Sequence, residues 1–189
     1  MKKKKIIIFV VVIAILLLGG YLILSGIGGA PHTEKTAATA GSAAEYRQRI
    51  AELEKIVADD PKNPRAWALL GNDYYDTDQP LKAISAYSRA IELDPANPNL
   101  LSDQGVMYKR VGSYDKALIN FEKARKIDPK HLQSLFNTGI IYAEDLKRPD
   151  MAVETWSRYL ELDSTTPAAH EAKRMIAQLK DLARRPVAK

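Results

Sequence analysis

The residues that most often carry chemistry are few and scattered in this sequence. There is no cysteine, which excludes disulfides, thiol nucleophiles and zinc sites with cysteine ligands. The three histidines, His32, His131 and His170, stand far apart, and none has a His or Glu four residues away. Two metal ligands on one helical turn need that spacing, so we expect no metal site.

Motifs for nucleophilic or phosphate chemistry are also absent from the sequence. No G-x-S-x-G, P-loop or dinucleotide fingerprint occurs. Asp59 and Asp60 form a carboxylate pair, but they fall at the end of a predicted helix and should be solvated. The sequence therefore predicts a protein that is not an enzyme, with no cofactor and no small-molecule substrate.

The positive charge is concentrated at the N-terminus. The formal net charge is +5, and four of the 28 Lys and Arg are Lys2, Lys3, Lys4 and Lys5. That leaves 24 Lys and Arg against 23 Asp and Glu, so the remainder is close to neutral. A nucleic-acid-binding domain usually carries a basic face. We therefore expect a membrane partner and no nucleic acid.

Residues 6–27 form an uncharged, strongly apolar run. A helix of that length would be roughly 33 Å long, enough to cross a bilayer core of about 30 Å. Lysines remain on the cytoplasmic side of such helices. We expect residues 1–5 to be a basic cytoplasmic tail and residues 6–27 to be a single transmembrane helix in the inner membrane. The chain that follows should then lie on the periplasmic side.

A cleaved signal peptide is the competing interpretation of this run. Its apolar region is usually 7–15 residues, which is shorter than the run seen here. The small-residue site at 28–30 is followed by Pro31, and the one at 38–40 lies far from the run. Residues 28–43 are rich in Gly, Ala, Thr and Ser, which predicts a flexible stem.

A 34-residue period organises the rest of the chain. Gly71, Gly105 and Gly139 share this spacing, as do Tyr74, Tyr108 and Tyr142. The second halves repeat it with Ala83 and Ala117, Tyr87 and Phe121, Ala90 and Ala124, and Pro95 and Pro129. The second half of the third unit, with Ala152 and Trp156, is displaced by one residue. We expect that insertion in the loop around residues 147–149.

These motifs resemble the tetratricopeptide repeat (TPR) family over about residues 64–164. The first unit reads Trp67, Leu70-Gly71, Tyr74, Ala83, Tyr87, Ala90 and Pro95, which matches the family pattern at each key position. The resemblance implies an all-α superhelix of antiparallel helix pairs with a concave face that binds a partner. The predicted units are residues 64–97, 98–131 and 132–166.

Two amphipathic segments flank the repeats. In residues 44–63, Tyr46, Ile50, Leu53 and Val57 share one stripe, as in a half-repeat helix. In residues 167–189, an apolar stripe is opposed by a charged face, as in a capping helix. The predicted architecture is three repeats plus these flanking helices behind the transmembrane helix.

The family lines its concave face with five positions of the first helix in each repeat. Carried onto this sequence, the predicted partner-binding residues are Asn72, Tyr75, Asp76, Val106, Lys109, Arg110, Phe136 and Ile140. Family members that grip a terminal carboxylate use Lys, Asn and Arg there, and of these only Asn72 matches. The predicted ligand is instead a peptide or amphipathic helix, with an acidic residue beside Lys109 and Arg110. A second possibility is that the capping helix or the stem covers Phe136 and Ile140.

The predicted function is a non-catalytic interaction scaffold at the membrane, serving the assembly of an envelope complex. A more specific version is a cytochrome c maturation subunit, because residues 50–72 look like the repeat region of those bacterial proteins. The version of that subunit that handles thiols carries a Cys pair, which is missing here. A regulator of an envelope enzyme is the alternative from a different class.

Overall fold

The structure is a computed structural model, and it describes residues 42–184. That part of the chain is all-helical and contains eight α-helices. The helices are α1 (Ala43–Asp59), α2 (Pro64–Asp76), α3 (Pro80–Leu93), α4 (Pro98–Arg110), α5 (Tyr114–Ile127), α6 (Leu132–Ile140), α7 (Pro149–Leu162) and α8 (Pro167–Arg184). They stack in chain order as three helix pairs, α2–α3, α4–α5 and α6–α7, flanked by α1 and α8.

Prolines and polar caps set the helix starts. Proline is tolerated at the first helical position because its missing N–H would be unsatisfied there, and five of the helices begin with one. The first helix of each pair is capped by the residue before it. Asn63 accepts a hydrogen bond from the backbone N–H of Ala66, and Asn97 accepts one from Leu100.

His131 takes the capping position in the third pair. Its Nδ1 accepts from the backbone N–H of Ser134 at 3.3 Å, and its Nε2 lies 3.0 Å from Asn99 Oδ1 on α4. The N–H is therefore on Nε2, and the ring joins two pairs as well as capping α6. Burial lowers the pKa of His131 below its usual value; Asp128 opposes that effect and Arg125 adds to it.

The two helices of each pair approach closely at a glycine. A Cβ atom built on Gly71 would lie 2.6 Å from the Tyr87 ring, and one on Gly105 would lie 2.6 Å from Phe121. Gly139 meets Trp156 in the same way. The repeated glycines therefore exist because a large aromatic side chain from the second helix occupies the space beside them.

The extra residue of the third repeat lies in a helix. The three loops within pairs have equal length, and each has one residue with positive φ: Asp78, Gly112 and Lys147. Helix α6 instead continues into a π-helical turn, Ile141–Asp145, where the Leu146 N–H bonds to the Ile141 carbonyl five residues back. The expected insertion in the loop was wrong, because a π-turn absorbs one residue without changing the loop.

Helices α1 and α8 are each half of a pair. Helix α1 packs on α2 as the second helix of one pair packs on the first helix of the next. Helix α8 begins at Pro167, 35 residues after Leu132, and buries Ala169 and Ala172 against α7. Helix α8 is thus a first helix whose partner helix is missing from the described residues.

The predicted tail, transmembrane helix and most of the stem (residues 1–41) lie outside the described residues. Within residues 42–184, no helix has both the length and the apolar character needed to cross a membrane.

Candidate protein-interaction groove

The predicted site residues lie along α2, α4 and α6, the first helices of the three pairs. We call this surface the groove face. Contacts between neighbouring first helices show that these positions adjoin one another. Gln133 donates to Asp103 across α4 and α6, and Arg110 donates to Asp78 in the loop after α2.

The α2 part of the groove face is polar and internally bonded. Tyr87 donates from its hydroxyl to Asn72 Oδ1 at 2.8 Å, and Tyr46 donates to Asp76 Oδ2 at 3.1 Å. Tyr75 is buried beneath Arg110, whose guanidinium lies 4.7 Å from the ring centroid. Asp76 remains exposed, so of these residues it is the one most open to a ligand.

The two predicted cations are both ion-paired. Lys109 Nζ lies 3.6 Å from Asp145 and 3.9 Å from Glu144, both in the π-turn. Arg110 Nη1 lies 3.0 Å from Asp78, and it also contacts the Tyr75 carbonyl. The sequence predicted an acidic ligand residue beside these cations, but their charge is largely balanced by carboxylates of the chain itself.

Phe136 is part of the core. Its side chain is 5% exposed, with its ring centroid 6.3 Å from Trp156 and 5.9 Å from Tyr159. Both neighbours belong to α7, so the second helix of its own pair covers it, and the capping helix is not needed for that. The expected exposure of Phe136 on the groove is not found, because the large aromatic side chains of α7 reach it.

Half-buried apolar side chains form a row at one repeat position of three successive first helices, α4, α6 and α8. Val106 and Ile140 hold the ninth position of the second and third repeats, where the first repeat has Asn72. Counting from Pro167, Met175 holds the same position in α8 and is also half-buried. The sequence prediction treated α8 only as a cap. The proline start, 35 residues after the third repeat begins, is the signal that could have placed Met175 in the row.

The described residues offer no candidate metal site beside the groove face. Among residues 42–184, no group of three or more His, Asp or Glu side chains could hold a metal ion. The buried groups with raised pKa values are tyrosines, such as Tyr75, whose pKa burial raises to about 12. A phenol that keeps its proton is a poor base, and its role here is packing and hydrogen bonding.

Comparison with known proteins supports the repeat assignment. A model of the TPR repeat matches residues 71–112, and a tetratricopeptide repeat model matches residues 99–131. A search of curated proteins gave no match. The chain contains tetratricopeptide repeats, which confirms the family resemblance over these residues.

Solved structures share the fold at low sequence identity. The crystal structure of MamA aligns with a TM-score of 0.63 and 16% identity, covering 73% of this chain and 88% of that one. The TPR domain of Arabidopsis OM64 gives 0.57 and 24%, covering 62% and 94%. A tetratricopeptide repeat protein from Parabacteroides merdae gives 0.65 and 18%, covering 74% and 55%. At these identities the likeness establishes the superhelix and nothing about ligands.

Proposed function

We propose that this chain is a non-catalytic scaffold that binds a segment of another protein on its groove face. Tetratricopeptide repeats generally mediate protein–protein interactions, and their stacked helices form extended binding surfaces. The observation that carries the proposal is the row of Val106, Ile140 and Met175. These apolar side chains keep contact with solvent at one repeat position on three successive first helices. A partner segment bound across these helices would cover these side chains.

The scaffold is proposed to be held at the inner membrane by residues 6–27, with the repeats on the periplasmic side. The lysines before the apolar run and the lack of charge within it support this orientation. A scaffold anchored in this way would hold its partner near the membrane during assembly of an envelope complex.

Site-specific photo-crosslinking in cells tests the binding surface. A photoreactive residue in place of Glu144, which is exposed at the end of the groove face, should form adducts with a partner protein. The matched control is the same residue at Lys123, exposed on α5, the second helix of its pair. Adducts at Glu144 that are absent at Lys123 and are lost in a Val106→Ser background are expected. Equal labelling at both positions would rule out the groove face.

Protease accessibility tests the orientation. Protease added outside spheroplasts should digest the repeats, and the protein should stay with the membrane after an alkaline wash. Digestion only after the cytoplasm is opened would reverse the proposed orientation.

A further inference from the structure

Helix α5 carries an arginine, Arg125, at a position where the other second helices are apolar. Val57, Ile91 and Leu160 hold the equivalent position in α1, α3 and α7. Arg125 is half-buried, whereas every other arginine within residues 42–184 is exposed. Removing a guanidinium from water is costly unless a carboxylate balances its charge, so a paired acid is expected beside it.

Arg125 forms no ion pair with any carboxylate of the described residues. Its Nη1 donates to the Thr138 hydroxyl oxygen at 2.9 Å and to the Ser134 carbonyl at 3.5 Å, both on α6. Glu122 lies one turn earlier on α5, but its carboxylate pairs with Lys126 at 2.6 Å. Neutral acceptors therefore hold the guanidinium in place without a bonded carboxylate to balance its charge.

One donor edge of the Arg125 side chain is left open. Both of its hydrogen bonds come from Nη1, so Nε and Nη2 have no acceptor among residues 42–184. Neither nitrogen is a buried atom that lacks a partner, which means that both reach solvent. An arginine holds an oxyanion through two parallel N–H···O bonds from such an edge. The anchored Nη1 thus presents a pre-oriented pair of donors.

Arg158, on α7, is a second cation near Arg125. Burial lowers the pKa of Arg125 first, the charge of Arg158 lowers it further, and Glu122 opposes them. Arg158 is exposed and has no hydrogen bond or ion pair within the described residues. Glu154 and Glu161 lie one turn before and after it on α7 and do not pair with it. An anion bound to both guanidinium groups would relieve their repulsion.

We propose that Arg125 and Arg158 bind a phosphate group. The Nε–Nη2 edge of Arg125 takes two of its oxygens and Arg158 takes a third, which a carboxylate does not have. A free phosphate ion and a lipid headgroup share this chemistry. The two arginines belong to second helices, so this inference is independent of the function proposed for the groove face.

Calorimetric titration of inorganic phosphate into the full chain, in a non-ionic detergent at constant ionic strength, tests the site. Arg158→Gln removes the second cation. Arg125→Ile copies α3 and should keep the fold, because Thr138 still donates to the Ser134 carbonyl. Arg89→Gln is the matched control, since Arg89 holds in α3 the exposed position that Arg158 holds in α7.

Phosphate binding should weaken about tenfold in Arg158→Gln and be lost in Arg125→Ile, because charge-assisted hydrogen bonds are removed. Arg125→Lys keeps the charge but not the two-donor edge, and it should weaken binding as well. The Arg89→Gln control should bind like the unchanged chain. Circular dichroism checks that each variant is folded. Absence of binding by the unchanged chain, or equal weakening in Arg89→Gln, would overturn the proposal.

Phosphatidylglycerol added to the detergent micelles separates the two sources of phosphate. Loss of inorganic phosphate binding in these micelles, restored when the lipid is left out, would assign the site to a lipid headgroup. Binding that is unchanged by the lipid would assign it to a free phosphate ion. Binding that the lipid reduces equally in Arg89→Gln and Arg158→Gln would mean a diffuse charge effect and would count against the site.

Discussion

The first repeat and the two later repeats each form a helix pair, but they hold the preceding helix by different chemistry. At the tenth residue of the repeat, the first has Asp73, whereas the second and third have Met107 and Ile141, which are fully buried. Asp73 is only 4% exposed, and it accepts two hydrogen bonds from Arg49 on α1. Helix α1 adds two more polar contacts to α2, from Tyr46 to Asp76 and between Glu54 and Tyr74.

This difference distinguishes the contacts that every repeat supplies from the contacts that belong to one helix junction only. An apolar tenth residue can pack on any preceding second helix of the same pattern. A buried carboxylate is stable only beside one particular partner, because an unpaired buried charge is costly. The contact between α1 and α2, which we call the first junction, is therefore specific to α1. The contacts between later pairs depend on packing that every repeat supplies.

Removal of Trp156 should produce the largest effect. Its side chain is fully buried, contacts Gly139 and Phe136, and donates from Nε1 to the Phe136 carbonyl at 3.1 Å. Trp156→Ala should lower the free energy of unfolding by about 3–5 kcal/mol in denaturant titration. Trp67→Ala is the comparison, and should cost less because Trp67 is only half-buried. Equal losses would mean that the third repeat is packed no more tightly than the first.

Phe136 and Ile140 should respond differently to the same substitution. Phe136→Ser removes a buried ring from between Trp156 and Tyr159, so it should destabilise the fold by about 3 kcal/mol. Ile140→Ser, at a half-buried position, should cost roughly 1 kcal/mol or less. Thermal melting followed by circular dichroism measures both. A stable Phe136→Ser variant would show that the Phe136 side chain is exposed on the groove face and is not part of the core.

The ion pair at the first junction should be more sensitive to loss of Arg49 than to replacement of Asp73. Arg49→Ala leaves the buried Asp73 carboxylate without its donor, and we expect a loss of about 1–2 kcal/mol, since Arg49 itself is 46% exposed. Asp73→Met copies the second repeat and should be nearly neutral, because Arg49 can turn to solvent. If Asp73→Met lowered the free energy of unfolding more than Arg49→Ala does, the Asp73 carboxylate would stabilise the fold through contacts other than the one with Arg49.

The smallest expected effect is a pH dependence from His131. Because its folded-state pKa lies below the unfolded value of about 6.5, the unfolded chain binds the proton more readily. The free energy of unfolding should therefore fall as the pH drops through about 6.5, because the unfolded chain takes up a proton that the buried ring of the folded chain resists. His131→Asn, which copies the caps of the first two repeats, should remove that part of the pH profile. An unchanged profile would assign the dependence to other groups.

The period of the sequence predicted the helix pairs, because glycine and a large aromatic must recur wherever two helices approach closely. It also revealed the extra residue of the third repeat. Whether a loop or a helix absorbs such a residue depends on backbone hydrogen bonds, so its position near Glu144 could not be read from spacing. The contact between Arg49 and Asp73 lies outside the period, and only the packing of α1 on α2 reveals it.

The groove residues were harder to predict than the helices. A family position fixes which side of a helix a residue faces, but the size of its neighbours decides whether it is reached by solvent. Phe136 lies against two large aromatic side chains of α7 and is buried, whereas Ile140, predicted in the same way, is half-buried. Lys109 and Arg110 lie on the predicted side, but the sequence did not show that carboxylates would meet them.

Helix α8 differs from the other first helices at the position where they carry glycine. Arg174 holds the position that Gly71, Gly105 and Gly139 hold in the repeats, and it pairs with Glu171 on the same helix. An arginine there occupies the space that a following aromatic side chain would need. A helix that followed α8 and placed an aromatic side chain there, as α3, α5 and α7 do, would meet the Arg174 side chain. Growth of the array by another pair like the first three would therefore require Arg174 to move or to be a smaller residue.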